Sequence, residues 1–359
     1  MSAKISHGFD FSLRNAYGHL CGVFLWIFTV CSTIPTAALY AQDPLYSQFY
    51  NAPLQMNAAM AGIGRGPQFR LNYRNQWPGL GNIYTTYSTS YDQYIPRLKS
   101  GVGAQILTDN AGDGTLRTTG ITGYYSYRLR VRQKYYIKGG MEVGVHQIAL
   151  DWNKLLFGDA IDVGTGPISP GGVPYPSSEV LPQNTSKRYL NLGAGVLAYS
   201  PDFYIGLGLK NVNSPDVSFL TSKNISGSTG NVIPLRISIH GGKNIILYQG
   251  NKNTEPTFIA LSGMFQRQGG FYQVNGGAML SVNRLNGGIW YRHSLYNGDA
   301  VIAGFGVKTG ALRINYSFDL TLSGLGLAQG GSHEVGIGIN FDYLYPEKQD
   351  YNDCFAIFR

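Results

Sequence analysis

The chain has 359 residues, of which 43% are hydrophobic and only 13% are charged, whereas soluble domains usually carry about 25% charged residues. Mean hydropathy is −0.10, and the sequence contains 48 glycines, 26 tyrosines and 17 phenylalanines. These values exclude a disordered chain, which is poor in aromatic residues, and a helical membrane protein, which needs apolar runs of about 20 residues. They also argue against a helical soluble protein, because each glycine costs about 1 kcal/mol in a helix interior. The composition indicates a β-rich protein whose sides face something other than water.

An export signal is predicted at the start of the chain. Lys4 and Arg14 form a positive region, residues 20–34 are apolar and uncharged, and a stretch of small residues ends at Ala41. Residues 1–41 are therefore predicted to be a signal peptide that is removed before Gln42. The alternative, a transmembrane anchor, is disfavoured because the apolar stretch of 15 residues is shorter than a bilayer span.

Loss of this signal changes the cysteine content and leaves the chain basic. Cys354 is then the one remaining cysteine, so an internal disulfide is excluded. The mature chain keeps 26 basic and 19 acidic residues, a net charge of +7. No segment matches a nucleic-acid-binding module, so nucleic acid is not a predicted partner. The phosphates of outer-membrane lipid are the expected partners of this charge.

Apolar and polar residues alternate repeatedly between residues 68 and 345. In the clearest segment, Leu312, Ile314 and Tyr316 alternate with polar neighbours up to Asp319. A period of two places the two sets on opposite faces of a strand. One apolar face and one polar face are typical of a transmembrane antiparallel β-barrel of the outer-membrane type, with lipid outside and a polar lumen inside.

About 14 such segments are present, although 12 or 16 strands are also compatible with the pattern. The connections after even-numbered segments are mostly short, and residues 149–187 and 213–234, after the fifth and seventh segments, are long. Short periplasmic turns and long outer loops are typical of these barrels. The connection 267–270 is an exception, because it is short although it follows an odd-numbered segment, the ninth. We expect a barrel over residues 68–345 with its amino terminus on the periplasmic side.

Basic residues collect in the connections on this predicted periplasmic side. Two interpretations remain open, contact with lipid headgroups and a docking rim for a periplasmic partner. The residues assigned to partner binding here are Arg97, Arg128, Arg130 and Arg132.

The sequence offers no convincing catalytic, metal or cofactor site. The four histidines that follow the signal lie on separate segments, without the spacing of metal ligands. Gly193, Gly195, Gly206 and Gly208 resemble fragments of phosphate-binding loops, but no helix follows them as such loops require. A lipase on the barrel wall is a disfavoured alternative. No catalytic residue, metal ligand or cofactor is predicted.

Charged residues on the polar face are predicted to form a network in the lumen. Such residues could brace the wall or hold a plug, or they could set the selectivity of a pore. The predicted network comprises Arg70, Arg74, Glu142, Arg313, Glu334 and Asp342.

Six short motifs resemble one known family. They are QDPLYSQF at 42–49, NAAMAG at 57–62, YRNQWPGL at 73–80, LDWNKLLFGD at 150–159, FYIG at 203–206 and SHEV at 332–335. Their order resembles that of the PorP/SprF family of the type IX secretion system of Bacteroidota. Ala58 departs from this pattern, since the family commonly has proline there.

The resemblance implies a non-enzymatic outer-membrane barrel of the secretion and gliding machinery. Its expected partners are a periplasmic peptidoglycan-associated lipoprotein, the lipoproteins of the secretion ring, and a secreted cargo or surface adhesin. A passive porin or uptake channel is the alternative function.

Two segments flank the predicted barrel. Residues 42–67 carry Tyr46, Phe49 and Tyr50 before any strand, so their apolar groups must be buried, either as a plug in the lumen or against a periplasmic partner. These three residues are assigned to partner binding. Residues 346–359 are predicted to form a C-terminal periplasmic tail.

Overall fold

The computed structural model describes residues 43–64, 66–81, 83–162, 164, 166–173, 175–179, 182, 184–219, 232–250, 255–294, 300–322, 329–342 and 354–358. The predicted signal peptide, residues 1–41, lies outside the described residues. Within the described part of the chain, no helix has the length and apolar character needed to cross a bilayer.

Antiparallel strands form a closed barrel, and the described residues contain fourteen of them. The strands are β1 (Gln68–Gln76), β2 (Tyr84–Ile95), β3 (Ser100–Ala111), β4 (Leu116–Arg132), β5 (Tyr135–Leu150), β6 (Ser186–Tyr199), β7 (Phe203–Lys210), β8 (Arg236–Tyr248), β9 (Thr257–Gln268), β10 (Phe271–Val282), β11 (Leu285–Ser294), β12 (Ala300–Thr309), β13 (Leu312–Thr321) and β14 (Ser332–Asn340). Each strand pairs with its neighbours in sequence, and β1 pairs with β14 to close the barrel. The predicted all-β barrel of about 14 strands is confirmed.

The alternating pattern gives the barrel wall two different faces. Along β5, Val143 and Val145 are 50% and 58% exposed on the outside, whereas Glu142 is 2% exposed on the inside. Strand β13 is arranged in the same way, with Ile314 outside and Asp319 inside. The wall therefore presents apolar side chains to lipid and polar side chains to the lumen.

The two ends of the barrel differ in the length of their connections. At the end where β1 begins, here called the short-turn end, two residues each connect β4 to β5, β10 to β11 and β12 to β13. At the opposite end, here called the long-loop end, residues 151–185 connect β5 to β6 and residues 211–235 connect β7 to β8. Residues 269–270 are a tight turn at the long-loop end, which Gly269 permits by its positive φ of 58°. Residues 249–256 are the longer exception at the short-turn end.

Residues 43–64, here called the inner segment, lie inside the barrel. They form three short helical turns, Phe49–Asn51, Pro53–Met56 and Ala58–Met60. The segment begins at the long-loop end, where Asp43 lies 3.3 Å from Arg236, the first residue of β8. It ends at the short-turn end, where the N–H of Gly62 donates to Asp92 of β2 at 2.8 Å. The inner segment thus runs along the lumen from one end to the other.

Residues 354–358, here called the C-terminal pentapeptide, pack inside the barrel at the short-turn end. The rings of Phe355 and Phe358 lie 5.7 and 5.4 Å from the ring of Tyr204 on β7. Arg313 donates to the carbonyl of Ile357 at 2.6 Å, and Arg70 donates to the carbonyl of Phe358 at 3.4 Å. Residues 346–353 lie outside the described residues, and the periplasmic location of the tail stays a prediction.

Candidate functional site in the barrel interior

Ser47 of the inner segment is held by side chains from five strands. These side chains, here called the Ser47 seat, are Arg74 on β1, Asn275 on β10, Arg292 on β11, Asp319 on β13 and Glu334 on β14.

Every polar group of Ser47 has a hydrogen-bond partner in this seat. The N–H groups of Ser47 and Gln48 donate to the two carboxylate oxygens of Glu334, at 2.5 and 3.0 Å. The Ser47 hydroxyl donates to Asp319 and accepts from Arg74 and Arg292. Asn275 donates to the Ser47 carbonyl at 3.2 Å. Because hydrogen bonds are directional, the seat specifies which residue of the inner segment occupies it.

The charges of the Ser47 seat balance, with two guanidinium groups facing two carboxylates. Asp319 lies 3.2 Å from Arg74 and 2.8 Å from Arg292, and Arg74 also contacts Glu334. Buried charges are tolerated when they are paired and hydrogen-bonded, and this arrangement meets both conditions. The barrel closure creates it, because the register of β1 and β14 places Arg74 opposite Glu334.

A second anchor holds the middle of the inner segment at Asn57. Its side-chain amide donates to the carbonyls of Val196 on β6 and Leu207 on β7, at 3.1 and 3.2 Å, and contacts His240 on β8 at 3.0 Å. Its side-chain oxygen accepts from the N–H of Ala59 and so caps the third helical turn.

Glycines on the inner face of the wall make room for this part of the segment. A Cβ atom at Gly195 would lie 1.8 Å from the side-chain oxygen of Asn57, and one at Gly140 would lie 2.3 Å from the backbone nitrogen of Ala59. A Cβ atom at Gly208 would lie 2.5 Å from the carbonyl of Met56. These glycines let backbone and wall approach more closely than any larger residue allows.

A third anchor holds the end of the inner segment near the short turns. The carbonyl of Ala61 accepts from Lys138 on β5 at 2.6 Å and from Ser126 on β4 at 2.8 Å. Asp92, which receives the N–H of Gly62, also pairs with Arg70 of β1. Polar side chains of the wall therefore hold the segment's backbone at its exit.

The inner segment also makes an apolar contact with the wall, in addition to these three polar anchors. Tyr50 of the inner segment lies 5.2 Å from Trp290 of β11, and the indole N–H of Trp290 donates to Ser262 at 3.1 Å. Gly277 and Gly288 leave space for the indole, since a Cβ atom at either would lie within 2.6 Å of it. The cluster, here called the Trp290 cluster, comprises Tyr50, Met264, Met279, Trp290 and Ile302.

Five of the six residues predicted to form a lumen network lie on the inner wall and are buried: Arg70, Arg74, Glu142, Arg313 and Glu334. Arg74 and Glu334 pair with each other in the Ser47 seat, and Arg70 and Arg313 both donate to the C-terminal pentapeptide. Glu142 lies 3.1 Å from Lys210. Asp342 lies just beyond β14, where it accepts from the N–H of Gly66 at 2.7 Å.

The three aromatic residues assigned to partner binding lie inside the barrel. Tyr46, Phe49 and Tyr50 are 4%, 4% and 2% exposed, and the Tyr46 hydroxyl donates to Ser88 at 2.9 Å. An external partner would reach these side chains only after the inner segment left the lumen. Their role in partner binding stays a prediction.

The four arginines assigned to partner binding lie at the short-turn end. Arg97 is in the connection of β2 to β3, and Arg128, Arg130 and Arg132 are at the end of β4. Arg128 is half-buried, and the other three are exposed.

Several residues that hold the inner segment were not assigned to a site from the sequence: Asn57, Asp92, Lys138, Asn275, Arg292 and Asp319. Those on strands share one detectable signal, since each occupies the polar face of an alternating segment. Asn57 carries a different signal, because it opens the NAAMAG motif. In the part of the chain that the structure describes, no group of three or more His, Cys, Asp or Glu residues could hold a metal ion.

Motifs far apart in the sequence meet in these contacts. QDPLYSQF, YRNQWPGL and SHEV supply Ser47, Arg74 and Glu334 to one seat. The remaining motif near the centre of the chain, LDWNKLLFGD, lies at the long-loop end instead. There Asp159 accepts from the hydroxyl of Ser177 and from the N–H and hydroxyl of Ser178.

A family model described as type IX secretion system membrane protein PorP/SprF matches residues 38–339. The chain belongs to the PorP/SprF family. It is therefore an outer-membrane β-barrel of type IX secretion, as its motifs predicted. No curated protein matches it.

Solved porin structures resemble this PorP/SprF barrel only distantly. A KdgM porin in complex with disordered oligogalacturonate is 7% identical, with a TM-score of 0.34, over 77% of this chain and 98% of that chain. A variant of the Rhodopseudomonas blastica porin is 7% identical, with a TM-score of 0.32, over 77% and 98% of the two chains.

Proposed function

We propose that this protein is a non-enzymatic component of the type IX secretion machine that docks periplasmic partners and supports the export or surface anchoring of secreted proteins. The partners are a peptidoglycan-associated lipoprotein, the lipoproteins of the secretion ring, and a cargo protein or adhesin. A signal peptide at 1–41 directs the chain to export. The short-turn end faces the periplasm, because short turns lie on that side in outer-membrane barrels.

The occupied lumen is the observation that carries this proposal. A passive porin needs a continuous water-filled path, whereas here the inner segment runs along the lumen and is anchored at Ser47, Asn57 and Ala61. The C-terminal pentapeptide adds further packing at the short-turn end. A barrel filled in this way is suited to holding partners at its ends rather than to passing solutes.

Purification of the barrel from native outer membrane in mild detergent, followed by mass spectrometry, tests the docking function. We expect a peptidoglycan-binding lipoprotein, ring lipoproteins or a large adhesin at stoichiometric amounts. Recovery of the barrel alone would contradict the proposal.

Conductance in planar bilayers tests the alternative of a passive porin. The wild-type barrel should be silent, and a variant lacking residues 43–56 should conduct, because the deletion removes Ser47 from its seat and Asp43 from its pair with Arg236. Steady conductance of the wild-type barrel at the level of the truncated variant would favour the porin instead.

A further inference from the structure

Strands β4 and β5 form a long hairpin, which extends beyond the neighbouring strand β3 at the short-turn end and pairs with β6 almost to its tip, where Tyr136 lies opposite Tyr199. These two strands are 17 and 16 residues long, whereas about 9–11 tilted residues cross a membrane. The pairing of β4 with β3 stops at Tyr127, opposite Ser100, and the N–H of Arg128 then donates to the carbonyl of Lys99 at 2.8 Å. The last residues of β4 therefore stand beyond the start of β3.

A β-bulge in this hairpin divides its arginines between two faces. Arg130 lies opposite Tyr136, but Arg132 lies opposite Tyr135, so the register shifts by one residue between them. Residues directly opposite each other in an antiparallel pair share a face. Alternate residues of a strand share a face, so Tyr136 lies on the same inner face as the buried residues Lys138 and Glu142. Tyr135 is exposed on the outer face. Arg130 thus faces the barrel mouth, and Arg132 faces outward.

The contact of Arg128 with Tyr94 agrees with this assignment. The guanidinium of Arg128 lies over the ring of Tyr94, 4.1 Å from its centroid, and Tyr94 is buried at the mouth. Arg130 donates to the carbonyls of Arg132 and Gln133, at 3.4 and 3.0 Å, which fixes its guanidinium over the turn. Residues 93–108 and 114–141, which include these arginines and the neighbouring connection of β2 to β3, contain no aspartate or glutamate.

We propose that Arg128 and Arg130 bind an acidic segment of a protein partner presented at the barrel mouth, while Arg132 contacts lipid headgroups. Lipid phosphates surround the outer wall, so they lie beside Arg132 and away from the side chains that face the axis. Carboxylates of a protein segment at the mouth can reach both inward arginines and form charge-assisted hydrogen bonds. This inference rests on the proposed function, in which the short-turn end docks periplasmic proteins.

Arg130→Glu and Arg132→Glu form a matched pair that tests the inference, because both change the net charge equally on one hairpin. The purified barrel is titrated against a fluorescein-labelled glutamate decapeptide, and bound phosphatidylglycerol is measured by native mass spectrometry. Arg130→Glu should weaken peptide binding about tenfold and retain the lipid. Arg132→Glu should retain the peptide affinity within about twofold and lose bound phosphatidylglycerol. Heat-modifiable mobility in electrophoresis confirms that each variant is folded.

Equal losses of peptide affinity in the two variants would overturn the assignment, since they would indicate a non-specific effect of charge. Loss of phosphatidylglycerol from Arg130→Glu would also overturn it, because the mouth-facing side would then bind lipid. If wild-type barrel recovers native partners and Arg130→Glu recovers them equally, this surface is wrong while the docking function stands. If wild-type barrel recovers none, the proposed function itself fails.

Discussion

The Ser47 seat and the Trp290 cluster hold neighbouring parts of the same inner segment by opposite physical means. At Ser47, two arginines, two carboxylates and Asn275 satisfy the polar groups of one residue. At Tyr50, three residues further along, the contact is an aromatic ring against Trp290 with methionines around it. One lumen thus combines a charged site and an apolar core.

This difference indicates that the two regions have different tasks. Apolar packing is non-directional and tolerates changes of shape, so the Trp290 cluster contributes stability without defining which residue sits where. Buried ion pairs contribute little net stability, but their directional bonds specify one arrangement. We therefore expect the Ser47 seat to determine the register of the inner segment in the lumen.

Glu334→Ala is expected to give the largest effect, because it breaks the pairing with Arg74 and leaves two buried N–H groups without their acceptor. Breaking a buried ion pair costs about 3–5 kcal/mol, with roughly 1–3 kcal/mol more for the N–H groups. Urea unfolding in detergent micelles measures this loss. Glu255→Ala is the control, since its pair with Lys308 is partly exposed to solvent and worth less than about 1 kcal/mol. Similar losses in both variants would remove the distinction between the seat and the surface.

Trp290→Ala should follow, with a loss of about 3–5 kcal/mol in the free energy of unfolding, because it leaves a cavity beside Tyr50. Trp290→Phe keeps an aromatic ring and should lose clearly less in the same urea experiment.

If Glu334→Ala made the barrel conduct in planar bilayers and Trp290→Ala did not, the seat rather than the cluster would hold the inner segment in register. The reverse result would assign that role to the cluster.

Gly195→Ala is expected to cost about 1–3 kcal/mol, since its methyl group would overlap the side-chain oxygen of Asn57. Gly139→Ala is the matched control on the outer face, where a Cβ atom meets nothing within 4 Å. Its cost in thermal unfolding should be below about 0.5 kcal/mol. A neutral Gly195→Ala would show that the Asn57 anchor is looser than these contacts indicate.

The smallest effect is expected at Asp159, outside the barrel. Hydrogen bonds from Ser178 and Ser177 lower the pKa of this carboxyl to about 2. Because its pKa is below the usual value of about 3.9, it stabilises the loop above about pH 4, and this contribution is lost as the pH falls through 2. The rate at which pepsin cuts the wild-type loop 151–185, divided by the rate for the loop of Asp159→Asn, should rise as the pH falls from 4 to 2, because only the wild-type loop loses a stabilising carboxylate. A constant ratio of the two rates would contradict this interpretation.

Alternation along each strand made the fold predictable, because lipid outside and polar groups inside impose a period of two on every strand. The same alternation predicted that Arg74 and Glu334 lie on the inner face of the wall. It did not predict their pairing, since this arises from the closure of β1 onto β14 across most of the chain. The sequence also leaves two locations for Tyr46 and Tyr50, the lumen or the surface of a partner, because an apolar segment before the first strand can be buried in more than one place.

What the sequence determined by itself was therefore local: strands, their faces, the polarity of the lumen and membership of the PorP/SprF family. The tertiary structure decided which side chains meet, placing Ser47 among five strands and turning Arg130 and Arg132 to opposite sides of one hairpin. Periodicity is a property of neighbouring residues and can be read along the chain. Barrel closure and a single-residue bulge change the spatial relation of residues without changing that pattern, so only the folded chain shows them.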